Sequence, residues 1–200
     1  MVCSQLVFRR SFHMTNTLHL TLSEYDTMVR LGAFDHVDRK VELIRGELVE
    51  MNPAGPLHDY LITYLNNWSV RHTDPSQTLV TSQTGLDLPE QTSRPEPDLM
   101  WLRNASYRAS HPNARDVQLA MEVAYTSLGY DLENKRILYA TAGIIEYWIV
   151  DAMAKCIHVF RDSDGGDYQT RFVVTSRDES LSPLIALDAK LNLQDLFEGN

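Results

Sequence analysis

Long apolar runs are missing from this sequence. No stretch approaches the ~18 residues that a membrane-spanning helix needs, so no transmembrane segment is expected. Cysteine is nearly missing too: Cys3 and Cys156 are too few and too far apart for a disulfide framework or a thiolate metal site. That scarcity fits a reducing, cytoplasmic setting. Basic residues are outnumbered, 18 Lys and Arg against 27 Asp and Glu, giving a formal net charge of -9. Such a chain does not coat nucleic acid through bulk electrostatics, although an enzyme can still concentrate positive charge locally. Residues 1–13 carry Arg9 and Arg10 but no continuous apolar stretch behind them, so they lack the pattern of a secretory signal. Residues 1–14 are expected to form a disordered extension, and residues 15–200 a single domain.

What is present is enough for one core: of 200 residues 44% are hydrophobic and 22% charged, the balance of an ordinary globular domain. Thr21-Leu22-Ser23-Glu24 has the capping-box pattern and predicts a helix running to about Gly32. Residues 40–52 read as a hairpin turning at Arg45-Gly46, a poorer turn signal than Asn-Gly. Leu57, Tyr60, Leu61, Tyr64, Leu65 and Trp68 recur at helical spacing and predict one apolar stripe for core packing. Strands are expected over 77–82, 85–88, 97–102 and 117–124, with an exposed loop over 103–116. A helix over 131–142 should stop at Gly143. A second hairpin then joins 144–151 to 155–161, followed by a strand over 168–175 and a last apolar stretch over 191–197. This order predicts an α/β (α+β) chain with a mixed sheet.

Two carboxylates fall inside these apolar strands. Asp98 is followed by Leu99, Met100, Trp101 and Leu102, and Glu122 is flanked by Met121 and Val123. An ionised group leaves water at high cost unless a cation or a set of hydrogen bonds meets it. Divalent cations at phosphoryl sites are commonly held by one or two carboxylates plus phosphate oxygens. The plainer alternative is a structural pair of strand-end acids, satisfied by backbone N–H groups or by an arginine such as Arg94. Arg71, Arg94, Arg103, Arg108 and Arg115 could form a phosphate-facing rim, although scattered arginines are more often solvated surface. On the helix behind Glu122, Asp131, Lys135 and Tyr139 are spaced to share one face, where Lys135 could also be a simple i, i+4 partner of Asp131.

The ordered set of segments resembles the Uma2 family of restriction-endonuclease-like proteins, within the PD-(D/E)xK nuclease superfamily. The similar stretches are Val41 to Met51 with Pro53 and His58, Pro97-Asp98-Leu99, Met121-Glu122-Val123, Asp131 with Lys135, Tyr139, Ala142 and Gly143, and Glu146 to Asp151. The resemblance implies a restriction-endonuclease-like mixed sheet flanked by helices, dependence on Mg²⁺ or Mn²⁺, and endonucleolytic cleavage of nucleic acid, with DNA as the expected partner. It makes Asp98 the acid of the first half-motif, Glu122 that of the second, and Glu42 an additional metal ligand. The superfamily lysine would stand two residues after Glu122, where this chain has Ala124. Lys135 is the candidate to supply that amine from the following helix. His58, at a helix start, could position substrate or water. Tyr139 would steady the amine or pack. Tyr147 and Trp148 are expected in the core or at the face of a homodimer. A catalytically inactive nuclease-fold module that binds nucleic acid or protein is the rival reading. A glycosidase using Asp98 and Glu122 as acid and base is a weaker third, since it leaves Lys135 idle.

Overall fold

Eight strands and five helices alternate along the chain, in a computed structural model that describes residues 17–51, 55–175 and 180–199. The expected extension over residues 1–14, and Pro53 of the family resemblance, lie outside the described residues. Helix α1 (Leu22–Arg30) starts at the predicted capping box: Thr21 Oγ1 accepts from the Glu24 N–H, and the Glu24 carboxylate accepts from the Thr21 N–H. Strands β1 (Val41–Ile44) and β2 (Glu47–Glu50) form a separate antiparallel pair. Their turn uses Arg45 at φ 52° and Gly46 at φ 81°. Positive φ at both central residues matches the twist of the flanking strands, which is why a nonideal Arg-Gly can close this hairpin.

Helix α2 (Pro56–His72) follows, then a six-stranded sheet of β3 (Thr78–Ser82), β4 (Leu99–Arg103), β5 (Val117–Ala124), β6 (Glu146–Asp151), β7 (Cys156–Ser163) and β8 (Tyr168–Thr175) in sequential order. Every pair is antiparallel except β5 with β6. A parallel pair needs a crossover. Here it is one helical run made of α3 (Leu128–Tyr130), a π-helical turn (Asp131–Lys135) and α4 (Arg136–Thr141), stopped as predicted by Gly143 at φ 83°. Helix α5 (Leu193–Glu198) closes the described chain.

Period-two alternation sends the strand residues to two faces. Leu99, Trp101, Leu119, Met121, Val123 and Trp148 pack against Leu61, Leu65 and Trp68 of α2. Met100, Ala120, Ala124, Tyr147 and Ile149 pack against Leu138, Tyr139 and Ala140 of α4. Tyr147 and Trp148 are both fully buried, so they are core and not a dimer face. The α2 stripe is narrower than its spacing predicts, with Leu57 and Tyr60 exposed. The strand expected over 85–88 is reduced to isolated bridges at Asp87 and Leu88. Pro89, Pro95 and Pro97, which lack the N–H a ladder needs, flank this segment and its partner.

No helix among the described residues is long and apolar enough to cross a membrane.

Candidate active site

The antiparallel register of β4 and β5 sets the site. Leu99 pairs with Met121, so Asp98 and Glu122 stand opposite each other one step further along. Both are buried, with 8% and 4% of their surface exposed. The π-helical turn reshapes the helix behind them. Along this turn Asp131 and Lys135 find different hydrogen-bond partners. The Asp131 carboxylate accepts from Ser127 Oγ at 2.7 Å, while Lys135 Nζ donates to Glu122 Oε1 at 2.9 Å and lies 3.5 Å from Glu42 Oε2. Tyr139, one turn on, donates its hydroxyl to the same Glu122 Oε1 at 2.8 Å.

Glu42 reaches the cluster from β1 with 1% of its surface exposed. The hairpin is pinned there by Arg94, whose N–H donates to the Leu43 carbonyl, and by Ser93 Oγ, which accepts from the Arg45 N–H. Lys40 Nζ bridges Glu42 Oε1 and Glu96 Oε2, both at 3.3 Å. On the other side, His58 Nε2 at the start of α2 sits 3.3 Å from Asp98 Oδ2, which also accepts from the Val123 N–H at 2.8 Å. The segments carrying Asp98, Glu122, Lys135, Glu42 and His58 thus converge in one region.

Four buried carboxylates, Glu42, Asp98, Glu122 and Asp131, share few counter-charges. Burial pushes Glu122 up to about 8; Lys135 opposes this, and the charges of Asp98, Asp131 and Glu42 reinforce it. Asp98 goes the other way: burial acts to raise it, but the hydrogen bond and charge of His58, the Val123 N–H and Lys135 hold it below the ordinary range. The hydrogen bond to Asp98 raises His58 above its usual value. Burial acts to strip Lys135 of its proton, yet Glu122, Glu42 and Asp131 keep it charged well beyond the usual lysine range.

A hard cation suits this donor set. Asp98 and Glu122 each turn one oxygen to the protein, Asp98 Oδ2 to Val123 and His58 and Glu122 Oε1 to Lys135 and Tyr139, while Glu42 faces Lys40 through Oε1 and Lys135 through Oε2. Glu42 Oε2 is buried without a hydrogen bond. Oxygen donors of this kind are those Mg²⁺ and Mn²⁺ prefer. The carboxylates are not closed into a finished cage. Among the described residues, the ligand atoms of Asp151, Cys156 and His158 form the compact trio, all within 4.8 Å of one another.

Several residues fall outside the sequence reading. Lys40 and Glu96 were not singled out, and no local signal marks them, since β1 and the Pro95-Glu96-Pro97 segment meet only in three dimensions. The expected arginine rim does not assemble. Arg94 is buried and paired with Asp26 and Asp87. Arg103 and Arg115 lie at the opposite ends of β4 and β5 from Asp98 and Glu122, Arg103 Nε donating to the Arg115 carbonyl. Arg71 is in the last turn of α2, some ~20 Å along the helix from His58. Glu146, left without a role by the sequence, accepts from Arg161 Nε, Trp148 Nε1 and the Leu184 N–H.

The fold recurs in a solved structure titled "Crystal structure of a putative nuclease belonging to DUF820 from Anabaena variabilis ATCC 29413", with a TM-score of 0.70 at 14% sequence identity, covering 90% of this chain and 98% of that one. No curated protein matches. The Uma2 family profile, described as "Putative restriction endonuclease", matches residues 22–194, which include Glu42, His58, Asp98, Glu122 and Lys135. A match over that much of the sequence makes this chain a member of the Uma2 family.

Proposed function

We propose that the chain is a metal-dependent endonuclease hydrolysing phosphodiester bonds of nucleic acid, with DNA as substrate, and that Asp98, Glu122 and Glu42 hold Mg²⁺ or Mn²⁺. The observation that carries this reading is Lys135, a buried ammonium delivered from the crossover helix to Glu122, in a chain that has Ala124 where the superfamily lysine would stand. A divalent cation supplies polarisation of the phosphoryl oxygen and a lowered pKa for bound water.

The remaining work falls to side chains. Lys135, held fully protonated, offers a point charge and N–H donors to the negative charge that builds on the phosphate. Tyr139, kept protonated by burial and by Glu122, holds that carboxylate in one orientation through its hydroxyl. His58 orients Asp98 in the same way. The N-cap of α2, Gly55, makes no side-chain hydrogen bond, so the first-turn N–H groups beside His58 are free of a capping side chain. Such a terminus favours an anion such as phosphate.

Titration calorimetry with Mg²⁺ and Mn²⁺, paired with incubation of labelled single- and double-stranded DNA and RNA, tests the reading. The expected result is cation-dependent cleavage that Asp98→Ala abolishes while leaving the circular dichroism of the fold unchanged. Cleavage by Asp98→Ala at the wild-type rate removes Asp98 from the site. Nucleic-acid binding with neither cation binding nor cleavage favours the inactive module.

A further inference from the structure

At the C-terminal end of β6, one strand across from the end of β5 that carries Glu122, three side chains of different chemistry converge. Asp151 and Cys156 are register partners across the β6–β7 hairpin, and His158 follows Cys156 by two residues, so all three project from one face. Cys156 Sγ lies 3.9 Å from His158 Nε2, and His158 Nε2 lies 4.0 Å from Asp151 Oδ2. Asp151 and Cys156 are buried and His158 is partly buried.

We propose that Asp151 Oδ2, Cys156 Sγ and His158 Nε2 form a Zn²⁺ site, completed by water or a fourth ligand. Both neighbours face the same imidazole nitrogen. In a thiol–imidazole–carboxylate relay the thiol and the acid would engage opposite ring nitrogens. Here the thiol and the carboxylate both approach Nε2, and the three ligand atoms lie within 4.8 Å of one another. Tetrahedral zinc with these ligands would bring sulfur and nitrogen to about 3.5 Å, and nitrogen and oxygen to about 3.3 Å, from bond lengths near 2.3 and 2.0 Å. The sulfur–nitrogen separation of 3.9 Å and the nitrogen–oxygen separation of 4.0 Å each exceed those distances by less than about an ångström, and sulfur and oxygen, within 4.8 Å, would close toward about 3.5 Å.

The carboxylate is also held in place. Asp151 Oδ1 accepts from the Met153 and Ala154 N–H groups at 3.0 and 2.8 Å, which orients Oδ2 toward the histidine. Support of this kind from outside the ligand set raises affinity for a metal. A ligand set with one thiolate and one imidazole selects a softer ion than the all-oxygen set around Glu122.

The site borders the acidic one. Asp151 pairs with Ala124, which puts its backbone roughly 8 Å from that of Glu122, and Ile149 links Glu122 to His158 two strands across the same face, roughly 10 Å away. Paired catalytic metals sit about 3.5–4 Å apart. Zinc here would therefore act on the hairpin, whose Ala152 N–H is already tied to the Ala124 carbonyl at the end of β5. The inference stands independently of the nuclease reading.

The test uses the full chain in a Cys3→Ser background, which leaves Cys156 as the sole thiol. Titration with Zn²⁺ should give one site beside any weaker ones, and Co²⁺ should give a thiolate-to-metal charge-transfer band. Cys156→Ser should erase the band. His158→Gln and Asp151→Asn, which keeps the turn-capping oxygen, should each weaken Zn²⁺ binding by more than about a hundredfold, beyond the typical loss for an outer partner. Glu122→Gln should leave the band intact. The proposal fails if the wild-type chain gives no charge-transfer band, if zinc affinity survives both His158→Gln and Asp151→Asn, or if Glu122→Gln removes the band.

Discussion

Lys135 Nζ sits 2.9 Å from Glu122 Oε1, although 13 residues, a loop and a π-helical turn separate them in the chain. Both groups are buried, so neither can exchange its partner for water. Removing the amine leaves Glu122 and Glu42 without their shared counter-charge. Above about pH 8, where Glu122 is ionised, Lys135→Met should therefore destabilise the fold by about 3–5 kcal/mol, the usual cost of orphaning one member of a buried ion pair. Adding Glu122→Gln should recover part of that loss. Denaturant unfolding of the two variants measures both quantities, and equal stabilities would mean that the pair is not coupled.

Glu122 also makes stability depend on pH. Its folded pKa, about 8, lies above the unfolded carboxylate value, so the native state binds the extra proton between the two. Stability should then fall as pH rises through that window and level off above about 8. His58 is raised as well, and its contribution is likewise lost as pH rises through its folded pKa. Asp98 behaves oppositely, its contribution being lost only at acid pH, below the ordinary carboxylate range. Comparing unfolding free energies of the wild type and Glu122→Gln across neutral pH isolates the Glu122 part: the variant should show the shallower decline.

Under the proposed function a divalent cation would compete with that proton. Binding of Mg²⁺ or Mn²⁺ should release protons and tighten as pH approaches about 8. Calorimetry of Mg²⁺ binding in two buffers of different ionisation enthalpy reads the release directly. A heat that does not change with buffer argues against Glu122 as a ligand.

His58 meets Asp98 at 3.3 Å, and under the proposed function it would act on the site through that carboxylate. His58→Gln should leave the Val123 N–H on Asp98 Oδ2 but lose the imidazole, weakening cation affinity by about 10–100-fold as partners outside the ligand set typically do. Mn²⁺ affinity is the measurement. An unchanged value accompanied by slower cleavage would instead place His58 on the substrate.

Glu146 provides the contrast. It is fully buried on the sheet face opposite Glu122, where Arg161, Trp148 and the Leu184 N–H saturate it. Glu146→Ala should cost about 3–5 kcal/mol by stranding Arg161, while Mg²⁺ affinity stays at the wild-type value.

Local signals were read most faithfully where the chain answers its own needs. The capping box of α1 satisfies its helix start within four residues, and Gly143 ends α4 because a positive φ suits a residue without Cβ. The β6–β7 hairpin follows from two apolar runs around a short turn. The segment over 85–88 misled because its apolar content matched a strand while the surrounding prolines removed the donors a ladder requires. The partners of Arg94 and Glu146 are illegible for a different reason: nothing beside them in the sequence reveals that a charge will be buried and paired from afar.

Residue order alone determined the element succession, the burial of Asp98 and Glu122 in apolar strands, and the absence of a lysine two places after Glu122, since each depends on neighbours along the chain. Only the tertiary structure decided which cation meets which acid. The β4–β5 register set Asp98 against Glu122, the packing of the crossover helix on the sheet brought Lys135 to Glu122, and the β6–β7 register set Asp151 beside Cys156 and His158. Charges separated by long loops have no preferred partner until packing fixes their distance, and the electrostatic energy that binds them falls away with that distance.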